Sequence, residues 1–311
     1  MKLTYAFCTY NRADRLPQLV AAMRAQVCQI PYEILAVNNN SKDNTPAILE
    51  DLSAQSGAPL RYITETAQGI VPARNRAIEE ALDSDIMVFI DDDELPQPGL
   101  LHAAYDAIVN EGAQCAGGRV EVDFSPHGRP AWLEDEIAGF LGGLDHGATS
   151  FWIQNDGTPI WSGNIVYDMR LFRDDPTLRF DKRYNREGSG VGGGEDAAMF
   201  RTLVSRGAKI RYRPDMAVWH FVEPWRLKRS YFLKLHHSAG MRHGRYSRQV
   251  YVQRLLGIPP FMLVQALAHS ARALAMFLGL RPHALRQAMN ATHAWGMIRG
   301  TRQRWLEGRK N

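Results

Sequence analysis

Residues 88–96 read VFIDDDELP, which places Asp91, Asp92, Asp93 and Glu94 directly behind an apolar run. Massed carboxylates repel one another and lose hydration, so water, a turn or a divalent cation must make the arrangement tolerable. On an extended strand end Asp91 and Asp93 share one side. Two such hard oxygen ligands, completed by diphosphate oxygens and water, suit Mg²⁺ or Mn²⁺. A solvated turn, or a helix starting at Glu94-Leu95-Pro96, explains the same residues without chemistry. The position behind a buried strand favours the metal.

A second acidic pair, Glu195 and Asp196, follows the glycines of GGGED. At a helix N-terminus the dipole alone would stabilise both. The functional reading is a general base delivered by a glycine loop to a hydroxyl. Two polar loops, CTYNR (8–12) and VNNNSKD (37–43), carry residue types that commonly just form turns, but they also match the donors and acceptors of a nucleoside. Arg74 and Asn75 stand at a helix start, where the arginine either approaches a phosphate or pairs with an acid. His220 closes a short strand in an aromatic setting and matters only if that strand lies beside the aspartates.

The elements that must position these residues are legible as alternating runs. Strands are expected at 3–7, 32–37, 60–64, 86–90 and 115–122, with helices at 14–27 and 70–83 between them. Thr45 followed by Pro46 reads as an N-cap and first helical residue. This βαβα rhythm argues for an α/β fold whose parallel sheet carries helices on both faces, and ligands in such sheets sit beyond the carboxyl ends of the strands. The first, second and fourth strands are each followed at once by a polar cluster. Residues 123–165 read as pocket-shaping loops with a short helix. Beyond them come a helix over Glu195–Arg206, a strand near 208–212 and a separate short strand ending in His220.

The 311 residues are 45% apolar, enough for a substantial core, and the net charge of +4 conceals an asymmetry. Residues 226–311 hold sixteen Lys and Arg against one acidic residue, Glu307, leaving 21 basic and 32 acidic residues in 1–225. The tail therefore suits an anionic surface. Within it, residues 255–271 lack any charged side chain, but Arg272 and Pro259-Pro260 interrupt the run, which falls short of a membrane span of about 20 residues. Gln265, His269 and Arg272 fall on one helical face, so the helix is either core or interfacial. Three unframed cysteines and an N-terminus without a secretory pattern point to the cytoplasm.

Taken in order, CTYNR, VNNNSKDNT, GIVPARNRAI, VFIDDDELP, SGNIVY, GGGEDAAMFRTLVSRGAKI and VWH resemble the family 2 glycosyltransferases of the GT-A fold that make bacterial cell-surface polysaccharides, over about residues 3–245. The resemblance implies a Rossmann-like, mostly parallel sheet with flanking helices in a catalytic domain over 1–225. Its nucleotide-binding part would be 1–122 and its acceptor part 123–225, with 226–311 a helical basic tail. It implies nucleotide contacts from Thr9, Tyr10, Asn11, Arg12, Asn38, Asn39, Asp43, Arg74, Asn75, Asp91 and Asp92. Asp91 and Asp93 match the metal-binding Asp-x-Asp motif, with His220 matching a histidine that supports or ligates the metal in some relatives. Asp196 matches the catalytic base with Glu195 beside it, and Ser162, Gly163 and Asn164 match the strand lining the sugar pocket. UDP is the donor nucleotide implied first. Asn38, where relatives typically carry aspartate, leaves GDP and dTDP open.

The expected function is thus an inverting transferase using Mn²⁺ or Mg²⁺, a nucleotide-sugar donor and a glycan or lipid-linked acceptor. It would sit peripherally on the inner face of the cell membrane, with no nucleic acid partner. A nucleotidyltransferase-like enzyme shares the sheet, nucleotide and metal, but no lysine-bearing phosphate loop of the G-x-x-x-x-G-K-[ST] type occurs. A non-catalytic binder of anionic lipid or nucleic acid would use the basic tail but leaves the ordered acidic motifs without a purpose.

Overall fold

A computed structural model describes residues 1–186, 191–247, 249 and 251–308. In chain order the elements begin β1 (Leu3–Thr9), α1 (Leu16–Arg24), β2 (Tyr32–Asn38), α2 (Thr45–Ser53), β3 (Leu60–Thr64), α3 (Ile70–Glu80), β4 (Ile86–Asp91), β5 (Glu94–Pro96) and α4 (Leu100–Val109). They continue with β6 (Cys115–Asp123), α5 (Asp135–Ala138), β7 (Phe151–Trp152), β8 (Asn164–Asp168), α6 (Arg170–Asp174), α7 (Glu195–Ser205) and β9 (Ile210–Phe221). Three long helices close the chain: α8 (Arg229–Tyr246), α9 (Pro260–Leu278) and α10 (Ala284–Glu307). The chain divides into two compact units, one of Met1–Gly128, Leu141–Gly188 and Gly194–Val222, the other of Arg129–Phe140, Ser189–Gly193 and Glu223–Asn311.

The first unit is α/β around one mixed sheet in the order β3-β2-β1-β4-β8-β6-β9-β5, with β7 paired to β9. Strands β3, β2, β1 and β4 run parallel, and β8 joins β4 to β6 with the opposite sense. Every residue of β1 is buried, as is the apolar run of β4, which is why both read as continuous hydrophobic strands. Register aligns their ends: Thr9 pairs with Asn38, Asn38 with Thr64, and Cys8 with Asp91. Because β8 is antiparallel to β4, its first residue, Asn164, pairs with Ile90 at that same edge. The edge then gathers the loops after three parallel strands together with residues 162–164.

Four local readings change. Strand β4 stops at Asp91, and Asp92 and Asp93 form a tight turn into β5, so the pleat does not place Asp91 and Asp93 on one side. Glu94–Pro96 is a strand rather than a helix start, because its backbone pairs antiparallel with Val218–His220. The two short strands expected at 208–212 and before His220 are one strand, β9. Pro214 cannot donate to a ladder, and a register irregularity opposite Gly118 and Val120 absorbs the interruption. Asn44, not Thr45, is the N-cap of α2, since the Thr45 hydroxyl accepts from the Arg12 amide at 3.0 Å.

In the second unit α8 and α10 approach so closely that only glycine fits where they touch. A Cβ on Gly244 would stand 2.2 Å from the Met297 carbonyl oxygen, and one on Gly300 1.9 Å from that of Met241. Gly240 and Gly296 meet equally close backbone, so two glycine pairs at four-residue spacing interlock. The segment 129–140 belongs to this unit: Trp132 stacks edge-on to Phe232, and His283 bonds Glu134 at 2.8 Å. Helix α9 packs on α10 through Met262 and Ala266 against Ala294 and Ile298. Its 19 residues run through Arg272 to Leu278 without a break, with Pro260 at the first turn, so it is long and apolar enough to cross a membrane, contrary to the shorter run read from sequence.

Candidate active site

Arg74 is the centre of the site. It lies in the first turns of α3 and is almost wholly buried, its guanidinium 5.5 Å from the ring centres of both Phe89 and Phe180. One arm donates to Asp91 at 2.8 Å, the other to Asp196, and Glu195 lies 3.6 Å away. Of the alternatives for Arg74, pairing with acids is what the geometry shows. A buried guanidinium needs such partners, and its pKa rises well above the ordinary arginine value because three carboxylates outweigh burial.

Gly194 adopts a left-handed φ of 104° to start α7, presenting Glu195 and Asp196 in its first turn. The two carboxylates differ in environment. The Glu195 side chain is 4% exposed and its pKa is raised, first by burial and then by the charge of Asp196, with Arg74 opposing. Asp196, paired with Arg74, is 28% exposed.

A second acidic centre adjoins the first through Asp91. The Asp91 amide donates to Glu94 at 3.1 Å, and Glu94 is buried with its pKa pushed well up by burial and by Asp91 and Asp93. A Cβ on Gly163 would stand 2.8 Å from Asp91 Oδ2 and 2.9 Å from Glu94 Oε1, so glycine there lets both carboxylates settle against the backbone. Asp92 is partly buried, with 15% of its side chain exposed, and desolvation with the Asp93 charge raises its pKa to about 7 against the pull of Arg12, whose Nε is 4.0 Å away. Asp93 Oδ2 lies 3.5 Å from Nε2 of His220, which pairs in register with Glu94. The strand of His220 therefore does lie beside the aspartates.

The remaining predicted residues divide by what their polar atoms already do. Thr9 is the buried last residue of β1, with Tyr10 half-buried after it. Asn11 takes φ 54° and accepts from the Lys42 amide at 2.7 Å, while Asp43 accepts from the amides of Ala13 and Thr45, so the two loops are tied together. The Asn38 side chain accepts from the Ser41 amide at 3.1 Å and donates to Thr64. Asn39 is spent on backbone, donating to the carbonyls of Glu65 and Ala67 and accepting from Gly69 at 2.7 Å. Asn75 pins Phe180 by a reciprocal pair of bonds. Ser162 is buried at the same edge, and Asn164 donates to the Arg119 and Met216 carbonyls across β6 and β9. Asn39 and Asn75 hold the walls through both ends of their amides, whereas Asn164 commits its nitrogen and keeps a buried Oδ1 without a partner among the described residues.

Two residues escaped sequence reading. Glu94 was visible in the acidic run without a role, and Arg15, one turn after Arg12, stacks 3.6 Å over Phe221 and feels the charge of Asp93. Arg74 is shared with Asp196 and Glu195, so the four carboxylates of the run have Arg12 and Arg15 and only part of Arg74 as cationic neighbours. Among the described residues no three His, Cys, Asp or Glu side chains converge as a ready-made cage. Such a donor set fits a cation that shares its ligands with a substrate phosphate.

Residues 6–175 match the family described as Glycosyl transferase family 2. Glycosyltransferase AglE of Haloferax volcanii is 31% identical over 129 residues, which is 41% of this chain and 42% of that protein. Dolichol-phosphate mannosyltransferase of Pyrococcus furiosus is 28% identical over 120 residues, 38% of this chain and 33% of that protein. The matches thus span only about two fifths or less of these curated relatives. Among solved structures, mannosyltransferase PcManGT from Pyrobaculum calidifontis, in complex with GDP-Man and Mn²⁺, aligns with a TM-score of 0.61 at 16% identity, covering 96% of this chain and 86% of that one. S. aureus TarS 1-349, in complex with UDP-GlcNAc, aligns with a TM-score of 0.53 at 17% identity, covering 99% and 92%. The mixed sheet is a GT-A fold, and the chain belongs to glycosyl transferase family 2.

Proposed function

We propose that this protein transfers a sugar from a nucleoside-diphosphate sugar to a hydroxyl of a glycan or lipid-linked acceptor in surface polysaccharide synthesis, with inversion at the anomeric carbon. The observation that carries the reading is Arg74, which holds Asp91 at the end of β4 and Asp196 at the start of α7 on one guanidinium. The diphosphate end of a donor and the proton acceptor for an incoming hydroxyl then lie within one side chain's reach. Asp196, the more exposed of the acidic pair, takes the proton as the acceptor oxygen attacks the anomeric carbon from the face opposite the diphosphate. The carbon–oxygen bond to the phosphate breaks, and the nucleoside diphosphate leaves with that bonding pair. Glu195, buried and beside Arg74 and Asp196, shapes the field around Asp196 rather than taking the proton.

Asp91, Asp93 and His220 would hold a divalent cation, Mn²⁺ or Mg²⁺, which when bound supplies positive charge against the leaving diphosphate. The run of four carboxylates, which shares Arg74 with Asp196 and Glu195, and the Mn²⁺ of the PcManGT complex support this. The loops of Thr9–Arg12 and Asn38–Asp43 receive the nucleoside; UDP is the first choice, with GDP and dTDP open because of Asn38. A thermal-shift panel of UDP-, GDP- and dTDP-sugars with Mn²⁺ tests the reading. A saturating donor at a hundredfold excess over its Kd should add about 2.7 kcal/mol of stability. Asp93→Asn should lose the Mn²⁺-dependent part of the shift, and an equal shift in that variant would remove Asp93 from the metal site.

A further inference from the structure

Helix α9 is covered on one side only. Met262 and Ala266 bury against α10, Gln287 donates to His269 at 2.9 Å, and the Trp295 indole donates to Ser270 at 3.0 Å. Facing away from these contacts, Phe261, Val264, Leu267, Leu274, Phe277 and Leu278 are all exposed, Phe277 by 67% and Leu278 by 72%. Single exposed leucines are ordinary on a protein surface, but six large apolar side chains along one helix form a patch. Exposed Arg254 and Arg281 bracket the helix and Arg272 interrupts it. Among the described residues none of the three pairs with a carboxylate. An open groove of about 530 Å³ along α10, reached by His237 of α8 and by Ile258 just ahead of α9, repeats the theme, with Ile258, Trp295 and Leu306 beside Arg299 and Arg302.

We infer that this face of α9 lies on an anionic lipid bilayer surface, as a monotopic contact. Charge selects the occupant. Sixteen basic residues against one acidic one in 226–311 would set positive charge against positive charge if a second copy covered the face, whereas anionic headgroups complement it. Packing selects the geometry. The inner side of α9 is committed to α10, which carries Arg286, Arg299, Arg302 and Arg304, so a spanning position would strip that contact or draw arginines into hydrocarbon. An apolar helix face with flanking cations and an aromatic at its edge is the pattern of interfacial attachment.

Flotation of the full chain with vesicles tests this independently of any transferase activity. The protein should float with vesicles rich in phosphatidylglycerol, stay behind with purely zwitterionic vesicles, and be released by high salt. Leu267→Glu with Phe277→Glu should abolish flotation while leaving the far-UV spectrum and melting temperature unchanged, since both side chains are exposed. Replacing Arg254, Arg272 and Arg281 together by Ala should weaken partitioning on the order of a hundredfold. Absence of flotation, equal binding to zwitterionic vesicles, or a concentration-dependent dimer that the double variant dissolves would each overturn the inference. Retention through an alkaline, high-salt wash would mean a spanning helix and overturn the surface-lying geometry.

Discussion

Arg74 donates to Asp91 across 2.8 Å, joining an almost wholly buried guanidinium at the start of α3 to a half-buried carboxylate at the end of β4. The same guanidinium holds Asp196, so one side chain from the third parallel unit sets the spacing between the metal-side aspartate and the acceptor-side carboxylate. Removing it leaves carboxylates facing one another without a counter-charge. Breaking one partner of a buried ion pair typically costs 3–5 kcal/mol.

Asp91 and Asp196 keep 34% and 28% of their surface in water, so Arg74→Met should lose about 2–3 kcal/mol of unfolding free energy, below that range, measured by urea denaturation. Arg74→Lys should recover only part of this, because an ammonium is a point charge that cannot reproduce a two-armed guanidinium between two rings. A loss below about 1 kcal/mol for Arg74→Met, the scale of an exposed pair, would show that the carboxylates find other partners.

Glu195 makes stability depend on pH. Its folded pKa is raised above the ordinary 4.5, so its contribution is fully present below that value and is lost as pH rises through the folded value. Glu195→Gln cannot ionise and escapes that loss. The stability of Glu195→Gln relative to wild type should therefore increase from pH 4.5 upward, and urea midpoints at pH 4.5 and 8 read it. A difference independent of pH would mean that Glu195 ionises as easily folded as unfolded.

The glycines of α8 and α10 should resist substitution. In an isolated helix Gly→Ala is stabilising by roughly 0.5–1 kcal/mol. Here the added Cβ at Gly244 or Gly300 would meet backbone carbonyl oxygen about 2 Å away, and backbone cannot yield as a side-chain tip can. Gly244→Ala and Gly300→Ala should each destabilise by at least 1–3 kcal/mol, the usual cost of overpacking. A raised melting temperature in either variant would contradict the close approach.

How much of this was legible in the sequence follows from how local each feature is. The parallel strands β1, β2 and β4 announce themselves because their burial is written in consecutive residues, and the polar clusters at their ends located the site's edge. The antiparallel pairings of β5, β7 and β8 are not local. Glu94–Pro96 becomes a strand only because Val218–His220 runs beside it. The amides of Asn39, Asn75 and Asn164 had the right chemical type for ligand contacts, but a sequence shows a donor without showing the carbonyl that already occupies it. Arg74 was legible as a candidate at a helix start. Its pairing with Asp91 and Asp196 was not, because those partners lie 17 and 122 positions away. The interlocked glycines at 240, 244, 296 and 300 showed their four-residue spacing in the chain, yet the pattern gains meaning only when two distant helices meet.

The central claim is that Asp196 takes the acceptor proton while the neighbouring acid, Glu195, does not. Donor binding by calorimetry and single-turnover transfer, measured side by side for wild type, Asp196→Asn and Glu195→Gln, test it most directly. Asp196→Asn should bind the nucleotide sugar with Mn²⁺ as wild type does and transfer about 10²–10⁴-fold more slowly, with Glu195→Gln affected far less. Wild-type transfer rates in Asp196→Asn would contradict the account.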